Sequence, residues 1–263
     1  MTARNDPSSA PGDGGPLVSI ILATINEREN LPPLLERLWK VGLPPFEVLV
    51  VDDGSTDGTR EYLTEAARSE PRLCLHWHEG KQTTLRAQCQ GIAHAKGEFV
   101  IVMDADLQHP PEVLPEMVQA LQTGAALVVG SRYAGGGSAG RRDAIRGTIS
   151  RGAELTAKLL LSEARSLSDP VSGLFGFRRE IFRPLPPEWR GYKLLLFLLV
   201  MARGRRVAEV GFRFEPRTSG ASKVTQNTRF IRFFLTELLL AKRFESALER
   251  HPTGRTSPGP SGQ

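Results

Sequence analysis

Cysteine is scarce in this 263-residue chain, with Cys74 and Cys89 the only two. They fall in a predicted strand and a predicted helix, too few and too separate for a disulfide framework or a zinc site, so a reducing, cytosolic compartment is expected. Long hydrophobic runs are missing as well. The longest, Leu194 to Ala202 and Phe233 to Ala241, fall well short of the ~20 residues that a bilayer crossing needs. The start of the chain lacks the charged-then-apolar order of a secretory signal, so any membrane contact is expected to be peripheral. Aromatic residues make up 7% of the chain and are not interleaved with the basic ones; no nucleic-acid partner is expected. The first predicted strand runs into Thr24-Ile25-Asn26-Glu27 rather than G-x-G-x-x-G or G-x-x-x-x-G-K-[ST], which disfavours a dinucleotide dehydrogenase and a P-loop NTPase. Internal repeats are not found.

What the chain does have is an excess of positive charge, +5, which points to an anionic partner, and 40% hydrophobic residues, enough for a sizeable core. Its most informative stretch is Phe99-Val-Ile-Val-Met-Asp104-Ala-Asp106-Leu-Gln108-His109-Pro-Pro, an apolar run that stops on two carboxylates. The run reads as a buried strand, and the prolines after it restart the chain as a helix. Comparable strands are predicted at 17–22, 46–51, 72–77 and 126–129. Helices are predicted between them at about 31–40, 59–68, 83–96 and 111–122, with Asn30 as the first N-cap and Gly97 as the C′ residue of the third. This alternation predicts a doubly wound α/β domain with a mostly parallel sheet and right-handed crossovers. A helix at about 142–161, a strand at 171–177, a helix at 193–203, a strand at 207–214 and an amphipathic helix at 228–249 complete the pattern. The expected organisation is a disordered leader at 1–16, a domain at 17–224, an amphipathic, membrane-interfacial helix at 225–250 and a disordered tail at 251–263.

The aspartates therefore end a strand, on the sheet edge where ligands of open α/β folds bind. Magnesium takes one or two carboxylates and leaves positions for phosphate oxygens, so Asp104, Asp106 and Gln108 fit a metal-diphosphate site. Of the pair Asp52-Asp53, one carboxylate is expected to cap the following helix and the other to meet a ribose or base. Arg132, Arg146, Arg217 and Lys223 follow apolar strands or flank glycine loops, where they can clamp phosphate. The segment Gly130 to Gly140 is expected to be a surface loop with the length of a lid. His76 and His78 read as residues of an edge strand, and His109 as a supporting or helix-capping residue rather than a base.

Taken together, Ile20-Ile-Leu-Ala-Thr-Ile-Asn-Glu-Arg-Glu-Asn-Leu, Val50-Val-Asp-Asp-Gly-Ser-Thr-Asp-Gly-Thr, Val102-Met-Asp-Ala-Asp-Leu-Gln-His-Pro-Pro-Glu, Gly130-Ser-Arg-Tyr and Ile149-Ser-Arg-Gly-Ala resemble the family 2 glycosyltransferases of the dolichol- or polyprenol-phosphate mannose synthase type. Asp169-Pro-Val-Ser-Gly-Leu-Phe-Gly-Phe-Arg-Arg-Glu, Gly191-Tyr-Lys-Leu-Leu-Leu and Pro216-Arg-Thr-Ser-Gly-Ala-Ser-Lys223 extend the likeness. The resemblance implies a GT-A, Rossmann-like fold and inverting transfer of a hexose, mannose from GDP-mannose being favoured, to a polyprenyl phosphate at the cytosolic membrane face. It implies that Thr24, Asn26, Glu27 and Asp53 contact the nucleoside. Asp104, Asp106 and Gln108 hold Mg²⁺ or Mn²⁺ with the diphosphate, and Arg132, Arg146, Arg217 and Lys223 bind donor and acceptor phosphates. Ala23 and Ile25 stand where the family usually has proline and tyrosine, the Lys81-Gln82 segment where a small-residue turn is common, and Phe197 where a glutamate is common. A UDP-sugar donor, or a relative that binds without transferring, stays open on these departures, as does a separate membrane-anchoring subunit.

Overall fold

The computed structural model describes residue 15 and residues 17–78, 83–138, 144–186, 188–189, 193–215 and 228–250; at 144–150, 228–233 and 247–250 it describes the helix path alone. The rest of the expected leader, the tail, Gln82, Arg217 and Lys223 lie outside the described residues. Among those residues, seven strands form one sheet: β1 Val18–Thr24, β2 Phe46–Asp52, β3 Leu73–Trp77, β4 Phe99–Asp104, β5 Leu127–Ser131, β6 Phe175–Arg178 and β7 Val207–Gly211. Their order is β3-β2-β1-β4-β6-β5-β7. All neighbours run parallel except β6, which lies antiparallel between β4 and β5. The mostly parallel sheet is the one expected.

Alternation along the strands sends apolar side chains to both faces, which is why helices cover both. On one face Ile20, Leu22, Val48, Val50 and Ile101 pack with Leu34 and Leu38 of α1 (Leu31–Lys40), Leu63 of α2 (Thr59–Ser69) and Met117 and Leu121 of α4 (Leu114–Gln122). On the other, Ile21, Leu49, Val100, Val102 and Val129 meet α3 (Thr84–His94), α5 (Ala144–Leu160), α6 (Leu194–Met201) and α7 (Thr228–Arg250). The described side chains of α7 divide the same way: Phe234, Leu238 and Ala241 are buried in this core, while Leu235 and Leu239 are exposed.

Several local expectations are corrected. Asn30 has helical backbone angles and no side-chain cap; its amide donates to Glu27 Oε2 at 2.7 Å instead. Gly97 is not a helix C′ residue. Helix α3 ends at His94 on an extended Ala95, and Gly97 is needed because a Cβ there would lie 2.7 Å from the Ser19 backbone nitrogen. The helix expected from Pro111 opens as a 3₁₀ turn, Pro111–Val113, before α4. The strand expected from Val171 begins at Phe175, because Asp169 to Ser172 form a turn with Ser172 N–H donating to Asp169 O at 3.3 Å. The strand from Val207 stops at Gly211, where the chain passes so near Gly135 that a Cβ would sit 2.1 Å from its oxygen.

Candidate active site

The carboxyl ends of β1, β2 and β4 lie level, with Thr24 opposite Asp52 and Ala23 opposite Asp104. This edge carries two linked loops on its β1/β2 side. Asn26, at φ 54°, accepts the Thr56 N–H on its side-chain oxygen and donates its own N–H to Ser55 Oγ, both at 2.8 Å. Asparagine tolerates this left-handed backbone better than most residues. Glu27 N–H reaches Thr59 Oγ1 at 3.1 Å and Arg28 N–H reaches Asp57 Oδ2 at 3.0 Å.

Neither Asp52 nor Asp53 caps α2. That work falls to Asp57, whose Oδ1 accepts from Thr59 N–H at 3.1 Å and from its hydroxyl at 2.6 Å. Asp52 is fully buried and accepts from Gly54 N–H, Ser55 N–H and the Ser55 hydroxyl, with Arg60 Nε at 2.6 Å. Burial opposes its charge, but the Ser55 bonds and the Arg60 guanidinium outweigh it and hold the carboxyl below the ordinary range. Asp52 thus shapes the loop from beneath. Asp53 lies beside it, 3.8 Å from the His78 ring, and the half-exposed Trp77 indole lies under the Arg60 guanidinium at 5.3 Å. The sequence reading assigned no role to Trp77, though its place at the end of the edge strand is a usable signal.

At the end of β4 the two aspartates differ. Asp104 has a side chain 48% exposed, whereas Asp106 is buried and accepts the Gln108 N–H at 3.2 Å. Between them and Gln108, Leu107 takes φ 63°, a strained conformation for a branched residue that turns the loop back on itself. His109 is buried against Phe212 and Phe214 and accepts the Asp104 N–H on Nδ1 at 3.3 Å, which puts its ring proton on Nε2. Burial lowers its pKa, so the ring is neutral and supports the loop. Gly173 lies on the other side: a Cβ there would stand 2.9 Å from Asp104 Oδ2 and 3.1 Å from His109 Cε1. Gln108 exchanges bonds with Glu215, accepting its N–H at 3.1 Å and donating Nε2 to its oxygen at 3.5 Å. Arg37 holds Glu215 and Glu112 together, with contacts of 3.0 and 2.7 Å.

No group of three or more His, Cys, Asp or Glu able to hold a metal exists among the described residues. Two adjacent carboxylates, one of them open to solvent, nevertheless suit a hard divalent cation that completes its shell with phosphate and water oxygens.

Arg132, at the end of β5, is turned inward. Its fork closes on the buried Asp169, Nε to Oδ2 at 2.5 Å and Nη2 to Oδ1 at 2.6 Å, with Glu154 at 3.8 Å. The loop after it is fastened to the segment beyond β7, Ser138 N–H donating to Phe212 O at 3.0 Å and Phe214 N–H to Ser138 O at 2.7 Å, so its described part is anchored rather than lid-like. Arg146 lies in the first turn of α5, where only the backbone is described. Phe197 is core, edge-on to Trp189 at 5.3 Å. Burial pushes the Cys89 thiol up to about 12 and also raises Cys74, so neither ionises near neutral pH.

Residues 19–185 match the model of the family described as glycosyl transferase family 2. The dolichol-phosphate mannosyltransferase of Pyrococcus furiosus is 36% identical over 235 residues, covering 89% of this chain and 66% of its own length; the chain thus spans just under two thirds of that relative. The dolichol-phosphate mannosyltransferase of Mycosarcoma maydis is 32% identical over 93% of this chain and 87% of its own length. Among solved structures, glucosyl-3-phosphoglycerate synthase of Mycobacterium tuberculosis, in complex with Mn²⁺, UDP-glucose and phosphoglyceric acid, superposes with a TM-score of 0.65 at 20% identity, covering 85% of this chain and 80% of that one. The mannosyltransferase of Pyrobaculum calidifontis, in complex with GDP-Man and Mn²⁺, does so with a TM-score of 0.57 at 19% identity, over 94% of this chain and 78% of that one. The fold is the GT-A glycosyltransferase fold, and the chain belongs to glycosyl transferase family 2.

Proposed function

We propose that the protein transfers mannose from GDP-mannose to a polyprenyl phosphate with inversion at the anomeric carbon. The observation that carries this reading is the carboxylate pair Asp104 and Asp106 at the end of β4, in a chain whose curated relatives are dolichol-phosphate mannosyltransferases. A phosphate monoester oxygen forms the new bond to C1 while the bond from C1 to the diphosphate breaks, its electron pair leaving with GDP. The acceptor has a second pKa of about 6 and arrives ionised, so the step needs no general base. This agrees with the chain: the histidine nearest the aspartates is buried, neutral and engaged with the Asp104 backbone.

Asp104, Asp106 and Gln108 hold the divalent cation, Mg²⁺ or Mn²⁺, which supplies neutralising charge to the leaving diphosphate. Thr24, Asn26, Glu27 and Asp53 form the nucleoside side of the cleft. Arg146, Arg217 and Lys223 are assigned to the phosphates by the family motif. Arg132, held by Asp169, is assigned with them to the phosphate side. The test is a donor panel with polyprenyl phosphate and either metal: labelled lipid from GDP-mannose supports the reading, and labelled lipid from a UDP-sugar alone replaces it with a glucosyl-type transfer. Donor binding with no transfer identifies a non-catalytic relative.

The acceptor's lipid calls for a surface contact. No helix among the described residues is long and apolar enough to cross a membrane. On α5 and α7, however, Leu155, Leu159, Leu235 and Leu239 are exposed, with basic Arg151 and Arg243 on the same two helices. We propose that this face rests on the cytosolic side of the membrane as a peripheral contact.

A further inference from the structure

The proposed transfer brings two phosphate-bearing substrates to one cleft, and a cation must face them. Arg132 gives its Nε–H and one Nη2–H to the buried Asp169 carboxylate, a charged partner that fixes the guanidinium. Lys193, just before α6, differs in how it is held. Its backbone N–H donates to both carboxylate oxygens of Glu237 on α7, at 3.2 and 3.3 Å, which fixes its main chain without using the ammonium. At the other end Nζ donates to Val171 O at 2.8 Å, a neutral carbonyl. That is its one side-chain hydrogen bond among the described residues, and an ammonium has three donors.

The tip therefore lies against the Asp169 to Gly173 loop, at whose far end a Cβ on Gly173 would stand 2.9 Å from Asp104 Oδ2. The charges that act on the ammonium include Asp104 and Asp169, attractive, and Arg132, repulsive. The residue as a whole is partly buried and its ammonium is enclosed, so burial lowers its pKa and an anion beside it favours the charged form. A side chain anchored at both ends, with two N–H groups that have no bond among the described residues and the Asp104 carboxylate near enough to act on its charge, is suited to hold an anion.

We propose that Lys193 is a phosphate-binding residue of the cleft, its remaining N–H groups meeting an oxygen of the donor diphosphate or of the acceptor monoester. The proposal rests on the functional reading above only for the identity of the acceptor; the phosphate chemistry is common to both substrates.

The test uses the full chain and needs no turnover. Calorimetric titrations of Mn²⁺-GDP and, separately, of farnesyl phosphate are compared for wild type, Lys193→Met and Lys193→Arg, with thermal melts alongside. The expected result is a rise of about 10- to 100-fold in the Kd of at least one ligand for Lys193→Met, the size of a lost charge-assisted hydrogen bond. The more affected ligand identifies the phosphate. Lys193→Arg recovers most of the affinity. A folded Lys193→Met that binds both ligands within twofold of wild type overturns the proposal, as does a Lys193→Arg variant no better than Met. If the Met variant does not fold, Lys193→Gln, which keeps a donor for Val171 O without the charge, is read in the same titrations. Because these are binding measurements, a protein that transfers no sugar still decides the role of Lys193.

Discussion

Replacing Gly173 with alanine should damage the active site far more than the fold. The added Cβ would stand 2.9 Å from Asp104 Oδ2 and 3.1 Å from His109 Cε1, both too close. His109 is buried among Phe212 and Phe214 and cannot retreat, whereas the Asp104 side chain is 48% exposed and can swing toward solvent. The strain is therefore relieved by moving the proposed metal ligand. Overpacking costs about 1–3 kcal/mol when a core must absorb it, and the low end applies here because the half-exposed carboxylate, not the core, gives way. At about 2–4 °C per kcal/mol for a chain of this size, the melting temperature should fall by no more than about 4 °C. Misplacing a catalytic group by about 1 Å costs on the order of 100-fold, so kcat/KM should fall by about 10- to 100-fold and the metal concentration for half-maximal rate should rise. The assay is transfer of labelled mannose across a Mn²⁺ series beside a thermal melt. Wild-type rate and metal dependence in a folded Gly173→Ala protein would refute the link between the Gly173 loop and Asp104.

Asp106→Ala should abolish transfer, measured as labelled lipid, yet leave a cooperative melt, since it removes a proposed metal ligand and polar contacts of the loop, Gln108 N–H among them, rather than an apolar core contact. Arg132→Met should be severely destabilising, by about 3–5 kcal/mol in denaturant titrations, because it strands the buried Asp169 carboxylate; an unchanged midpoint would show the pair to be dispensable. Thermal stability should fall as pH drops below 6.5: the His76 ring lies 4.1 Å from that of His94, tilted by 33°, and burial together with that neighbour lowers its pKa from the ordinary 6.5. The unfolded chain then binds the proton more readily, so the contribution is full above 6.5 and is lost as pH falls through the folded value. Melts from pH 7.5 to 5 should lose part of this slope in His76→Gln. Changing Leu155, Leu159, Leu235 and Leu239 to serine should abolish flotation with anionic liposomes while leaving the melt near wild type, because these side chains are exposed; undiminished flotation would place the membrane contact elsewhere.

The strands were legible because they are apolar and end abruptly. The run from Phe99 could be read to its Asp104 terminus from residue types alone, and the parallel register then placed Thr24, Asp52 and Asp104 on one edge. Errors arose where a distant partner overrode a local signal. Asn30 and Gly97 have the residue types of helix caps, but Glu27 and Ser19 decide what they do. The antiparallel direction of β6 has no local mark; it is set by its pairing between β4 and β5. The ion-pair partner of Arg132 has no local mark either, because Asp169 is 37 residues away. Lys193 lay within a motif quoted for family likeness, yet its significance depends on Val171 and Glu237, which only folding brings to it.

The central claim is a single displacement by an already ionised phosphate, carried out without a protein base. Its most direct test is the product itself, formed by purified protein from GDP-mannose, polyprenyl phosphate and a divalent metal, and analysed by NMR with GDP release measured in parallel. The prediction is one mannosyl phosphate lipid per GDP, with the anomeric configuration inverted relative to the donor. Retained configuration, or GDP released without lipid product, would contradict it.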